Sequence, residues 1–147
     1  MKHSTYSFKD LAGGIIHPLY PAGPFQFTGE GVGAINVSMP TERTVHDVAA
    51  DGSIMISKIE GRNGQIQIDT QQTSNVHKYL LSLFNFVETA PTPAWAMTTI
   101  VMRHMFDGTS HIATGVSFGK IADKHYQAQG QKVQWTLFAA DIANLTL

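Results

Sequence analysis

Apolar and polar residues alternate with a period of two along several short stretches of the chain. Gln65-Ile66-Gln67-Ile68-Asp69 places both isoleucines on one side and three polar residues on the other. Ser53-Ile54-Met55-Ile56-Ser57 and Val133-Gln134-Trp135-Thr136-Leu137 follow the same rule less strictly. Such alternation marks strands with one covered face. Turn signals separate the runs: Gly13-Gly14, Pro21 to Pro24, Gly29 to Gly31, Asp51-Gly52, Asn63-Gly64 and Asp107-Gly108. Asp-Gly and Asn-Gly suit tight hairpins because both tolerate the positive φ of primed turns. Residues 42–70 therefore read as a three-stranded meander, and further strands are expected near 5–10, 14–20, 33–39, 96–106, 111–119 and 132–140.

One segment changes period. Val76, Leu80, Leu83, Phe84 and Val87 fall at helical spacing with Tyr79 alongside, Ser74 can cap the start, and Pro91 and Pro93 forbid continuation. The pattern predicts a helix over residues 75–87 that plugs one side or end of the sheet structure. The fold class is mainly β, a barrel or sandwich with one flanking α-helix, in a single domain spanning residues 1–147.

Composition narrows the function classes. No cysteine is present among the 147 residues, so disulfides, thiolate metal sites and cysteine nucleophiles are excluded. Charged residues make up 14%, the formal net charge is −1, and the ten basic residues are scattered. Tight nucleic-acid binding needs clustered Lys and Arg to neutralise phosphates, so it is disfavoured. The first ten residues lack an apolar h-region, and no apolar run approaches the ~20 residues that span a bilayer. Neither a secretory signal nor membrane binding is expected. So low a charge implies that part of the surface is covered by partners.

Candidate chemistry does not accumulate. His3, His17, His46, His77, His104, His111 and His125 form no H-x-H or H-E-x-x-H pair, though His104 and His111 flank a turn and could meet across a hairpin. Thr114-Gly115-Val116-Ser117-Phe118-Gly119 comes nearest to a nucleophile elbow, but its second glycine falls one place late; it reads as strand. Gly29-Glu30-Gly31-Val32-Gly33 lacks the lysine of a phosphate loop and precedes a strand rather than a helix N-terminus. Glu42 and Asp47, five positions apart on one expected strand, face opposite sides. Trp95, Trp135, Phe25, Phe27, Phe84, Phe86 and Phe138 are not interleaved with basic residues and read as core. No enzyme, metal or cofactor is expected.

The order of the segments carries a resemblance. Tyr6-Ser7-Phe8-Lys9-Asp10 opens the chain, and the glycine cluster 29–33 precedes a strand holding Val37-Ser38-Met39. Thr44 to Met55 then leads to a hairpin, Gly64 to Ile68 to another strand, and a Thr/Ser connection to the helix Asn75–Phe86. This order resembles the tail-tube family of contractile bacteriophages over most of residues 5–140, most closely over 29–88. The resemblance implies a fold related to the tube protein of type VI secretion systems, and a virion structural protein made in the bacterial host cytoplasm. It further implies hexameric rings, with sheets joined into one barrel, stacked into an inner tail tube that conducts DNA during ejection. The implied partners are further copies of the chain, the tail sheath, the baseplate, the tail terminator and, in the lumen, the tape-measure protein and transient DNA. A tube protein of a type VI or other contractile-injection machine is the alternative on the same fold. A small ligand-binding β-barrel and a histidine-using hydrolase are the alternatives from other classes.

Physical chemistry is compatible with the resemblance. A β-domain must manage its edges, and a ring of heterologous contacts removes them. A DNA conduit must not hold phosphates, which suits a near-neutral chain. The glycine loop with its strand, residues 29–41, and the hairpin at Asp51-Gly52 are expected to order on ring-to-ring contact. Gly29, Gly31, Gly33, Asn36, Ser38, Asp51 and Gly52 are the candidate inter-ring and inter-subunit residues. Gln65, Gln67 and Asp69 face either lumen or solvent.

Overall fold

A computed structural model describes residues 2–29, 31–105 and 108–146. Nine strands and one long helix follow in chain order: β1 (Leu11–Ile16), β2 (Phe25–Thr28), β3 (Val32–Ser38), β4 (Thr44–Val48), β5 (Ile54–Lys58), β6 (Gly64–Gln71), α1 (Asn75–Thr89), β7 (Thr98–His104), β8 (Thr109–Phe118) and β9 (Lys132–Thr146). Seven of the strands form one antiparallel sheet in the order β2-β1-β7-β8-β9-β6-β3. The end strands β2 and β3 are consecutive in sequence, joined across residues 29–31. A connection that short between opposite ends of a seven-stranded sheet requires the sheet to curl into an incomplete barrel.

The curled sheet closes around α1. Ile66, Ile68 and Thr70 of β6 and Val133, Trp135 and Leu137 of β9 are buried on the inner face, where Val76, Leu80, Leu83, Phe84 and Val87 of α1 pack. The helical period of the sequence thus identifies the plug. Ser74 Oγ accepts from the His77 amide at 3.2 Å, satisfying one of the four orphan donors of the first turn. Ser74→Ala keeps the Cβ that packs against Gly31 and removes only the cap. Its expected cost is about 1 kcal/mol, read from the urea midpoint at constant slope; no shift would mean that the cap is idle.

Several expectations need correction. Residues 5–10 contain no strand: Ser7 Oγ accepts from the Lys9 amide and caps a 3-10 turn at Phe8–Asp10. The strand expected at 14–20 is β1, ending at Ile16 before a turn. Strand β2 went unforeseen because Pro21, Gly23 and Pro24 signal only a loop, whereas burial of Phe27 holds it at the sheet edge. The three-stranded meander fails at its second turn. Strands β4 and β5 pair with each other, but β6 leaves them and joins β3 and β9. The buried row Ile66, Ile68, Thr70 gains an inner face only there, and the Arg62 carbonyl, accepting from the Ile142 amide at 2.8 Å, ties the returning chain to β9. Gly64 starts β6 rather than turning a hairpin, since a Cβ there would lie 2.4 Å from the Ser38 carbonyl oxygen.

Strand β9 runs past the expected 140 because its alternation changes phase. Ala139 and Ile142 are both buried, and opposite them β8 bulges between Ala113 and Val116, with Gly115 at φ +63°. A Cβ on Gly115 would approach Ala140 Cβ to 2.7 Å. The segment 114–119 is strand through Phe118, as its pattern implied. Phe138, expected in the core, is 49% exposed: the period that buries Val133, Trp135 and Leu137 turns it outward.

Candidate functional site

Two surfaces remain after the core is filled, and neither has the form of a reaction centre. The first is the outer face of the curled sheet. Pairing places Asn36 opposite Gln67 and Ser38 opposite Gln65, and β6 in turn sets Gln67 opposite Thr136 and Asp69 opposite Gln134. Thr114 and Ser117 continue this face on β8. Apart from the outward-turned Phe138, opposite Gln65 and Ser117, side chains here are small or polar and mostly uncharged. Asp141 is neutralised by Arg62 at 2.9 Å.

The second surface is an arm. Strands β4 and β5 form a two-stranded ribbon inserted between β3 and β6, with the Ile59 amide donating to the Arg43 carbonyl (2.9 Å) at its base. Every β4 residue is exposed. Its register sets Val48 against Ile54 and His46 against Ile56 on one face, with Asp47 against Met55 and Val45 against Ser57 on the other. Val45, Val48, Ile54, Met55 and Ile56 are 46–67% exposed, so apolar side chains stand in water on both faces. An isolated two-stranded ribbon is marginal in water, and an apolar patch on one marks a contact surface. The tip is preorganised. The Gly52 amide donates to the Ala49 carbonyl (3.0 Å), Gly52 alone takes positive φ (+87°), and Asp51 Oδ1 accepts from the amide and hydroxyl of Ser53 (3.0 and 2.6 Å). Those two bonds hold the Asp51 carboxyl below the usual carboxylate range. The hairpin foreseen at Asp51-Gly52 is present, but as a turn with one glycine in the left-handed region rather than a primed pair.

The candidate residues do not converge within one subunit. Gly31 (φ +75°) abuts Ser74, and its carbonyl accepts from the Gln71 amide at 2.8 Å. Gly33 faces the Lys132 side chain, and Gly29 backs onto Phe8. The glycine segment therefore has partners within its own subunit; Glu30 lies outside the described residues. Gly31 and Gly33 stand at the Gln71 end of β6, whereas the arm bearing Asp51 and Gly52 leaves from the Gly64 end, seven residues or about 23 Å away. Asn36 lies between and Ser38 at the Gly64 end, both on the outer face of the edge strand. The Gln71 end is concave: a cleft of ≈ 420 Å³ is lined by Phe25, Thr28, Gly31, Gln71, Ser74 and Val76, and another of ≈ 340 Å³ by Gln71 to Thr73 with Gly130 to Lys132. The apolar arm residues were missed as contact candidates. Their signal was Ile54-Met55-Ile56, where three consecutive apolar residues give both faces of a strand something to cover.

The histidines do not form a site. Among the described residues no three His, Asp or Glu side chains are placed to hold a metal. His104 and His111 line one small cavity of ≈ 150 Å³ across β7 and β8, where His104 Nε2 donates to the Ser7 carbonyl (2.9 Å) and His111 Nδ1 donates to Asn144 Oδ1 (2.6 Å). Asp107, in the turn expected between them, lies outside the described residues. No described helix is long and apolar enough to cross a membrane.

A family model for the bacteriophage PhiTE tail tube protein matches residues 3–146. Among curated proteins there is no sequence match. Solved structures similar in fold include three from an extracellular contractile injection system and an anti-feeding prophage. A chain in the sixfold-symmetrised anti-feeding prophage baseplate gives a TM-score of 0.66 at 10% identity, covering 99% of this chain and 98% of that one. A chain in the sheath–tube complex of an extracellular contractile injection system, in its extended state, gives 0.60 at 8% identity, covering 97% and 93%. The tube-terminating cap of the anti-feeding prophage gives 0.57 at 10% identity, covering 100% and 94%.

Proposed function

The chain belongs to the bacteriophage PhiTE tail tube protein family, and from that premise we propose that its subunits close into hexameric rings whose stacking makes a DNA-conducting tail tube. It is a structural tube protein of a phage or contractile injection system, not an enzyme. The observation that carries the finer reading is the separation of the arm and the clefts to opposite ends of β6. A protruding patch at one end and a receiving surface at the other make a heterologous contact, which propagates into a filament when copies stack.

In this arrangement Asp51 and Gly52 at the arm tip meet the Gly29 to Gly33 end of a subunit in the next ring, so the candidate residues converge between molecules. The edge strands β2 and β3 pair with neighbours around the ring, removing both unpaired edges. The outer sheet face, with Asn36, Ser38, Gln65 and Gln67, lines the lumen. Its scarcity of fixed cations keeps passing DNA from being held, because each Lys–phosphate contact adds to retention. Tape-measure protein occupies that lumen before ejection, while sheath, baseplate and terminator meet the tube outside and at its ends. The three similar structures come from a baseplate, a cap and a sheath–tube complex.

A second reading, the tube of a contractile injection machine rather than a phage, is favoured by those same fold likenesses. Electron microscopy of the purified protein, with light scattering for mass, tests the shared core of both. Rings of six and hollow tubes are expected. A protein that stays monomeric at high concentration even when seeded with tube ends would overturn the assembly and return weight to a ligand-binding barrel.

A further inference from the structure

The outer face of the sheet changes character along its width. On β3 and β6 it is polar, but register carries an apolar row across four other strands. Gly14 of β1 stands opposite Val101 of β7, Val101 opposite Ile112 of β8, and Ile112 opposite Ala143 of β9. The adjoining Ile15, Ile100, Ala113 and Ile142 are buried in the core, so this row points outward. Ile16 and Leu145 flank it, each about half exposed. Gly14 and Ala143 keep the row flat, which suits a second sheet layer laid on it. Beside the row is Arg103, opposite Ala12 and Ser110; it is exposed and forms no ion pair among the described residues.

The arm offers the counterpart. One of its faces sets Asp47 beside Met55, with Val45 two residues along β4. Asp47 is exposed and also forms no ion pair among the described residues. We propose that the arm of a second copy lies on this apolar row, with Val45 and Met55 on its side chains and Asp47 against Arg103. Spacing agrees on the two partners. Asp47 and Val45 are two positions apart on β4, as Arg103 and Val101 are on β7, and two strand residues span about 7 Å. One step therefore separates the ionic contact from the apolar one on each side. Covering apolar surface supplies the affinity, while the ion pair sets the register, since an exposed pair adds little energy of its own. A nucleic acid would meet a single cation here, too few to hold its phosphates. The arm and the row are different surfaces, so each copy gives one arm and receives another. The opposite arm face, with Val48, Ile54 and Ile56, stays available for the ring-to-ring contact. This inference rests on the reading of the arm as a contact between copies.

The chain has no cysteine, so introduced thiols report single contacts. Full-length Asp47→Cys and Arg103→Cys proteins, carrying tags of different mass, are mixed, concentrated and treated with a thiol–thiol linker about 10 Å long, the spacing of packed sheets. A mixed-tag dimer is expected. A parallel mixture of Asp51→Cys with Lys132→Cys reports the ring-to-ring contact separately. Linkage of 51 to 132 without 47 to 103 would overturn this inference and leave the tube reading standing. Linkage of 47 to 103 alone would support it and remove the tip contact, and linkage of neither would overturn both. Charge reversal gives an independent readout by sedimentation velocity. Asp47→Arg and Arg103→Asp should each weaken self-association at least about tenfold, and the double variant should regain most of it. Both sites are exposed, so folding should not change. Reversals without effect, or losses that do not restore one another, would overturn the pairing.

Discussion

A subunit lacking the arm should fold normally and form no tubes. The Ile59 amide already donates to the Arg43 carbonyl at the arm base, so residues 44–58 can be replaced by an Asn-Gly turn without moving either end. Strands β4 and β5 pair only with each other, and none of their residues joins the core. Thermal stability should therefore change little. Assembly should change greatly: covering the exposed parts of five large apolar side chains contributes on the order of 5 kcal/mol per contact, roughly 10³–10⁴-fold in association. Sedimentation and electron microscopy of the variant read this directly. Tubes of normal length would remove the arm from the contact, and an unfolded product would make it part of the fold.

Trp135→Ala should be the most damaging single substitution in the core. The side chain is fully buried where β9 meets α1, with ring centroids 5.5 Å from Phe118, 5.9 Å from His77 and 6.4 Å from Phe84. Truncation opens a large cavity and strips His77 of its donor, for an expected loss of about 3–5 kcal/mol. Against a typical total of 5–15 kcal/mol, that threatens folding itself. Urea unfolding followed by far-ultraviolet circular dichroism, which needs no tryptophan, measures it. A loss below about 1 kcal/mol would mean that the aromatic cluster is not the keystone of the core.

How far the sequence carried the structure depends on the range of the forces involved. Helix α1 was legible because Val76, Leu80, Leu83, Phe84 and Val87 carry its period, Ser74 its start and Pro91 its stop, all within one segment. Strands β3, β6, β8 and the first half of β9 were legible for the same reason, since alternation records which face is covered. The family resemblance was legible too, because it rests on the order of such segments, and the match over residues 3–146 places the chain in that family.

Partner choice was not legible. Gln65-Ile66-Gln67-Ile68-Asp69 alternates identically whether its neighbour is β5, as local turn chemistry suggested, or β3 and β9, as found. Alternation specifies a face, but only the three-dimensional core specifies which strands share it. Local sequence also could not show that Ile54 and Ile56 lack a core to enter, or that Gly31 and Gly52 stand at opposite ends of the sheet. Nor could it pair His77 with Trp135, 58 residues apart. By itself the sequence determined the elements, the covered face of most of them, the absence of motif-level chemistry and the family. The tertiary structure decided the pairing order, the arm and the pairing of His77 with Trp135, because each depends on residues distant in sequence that only the closed core brings together.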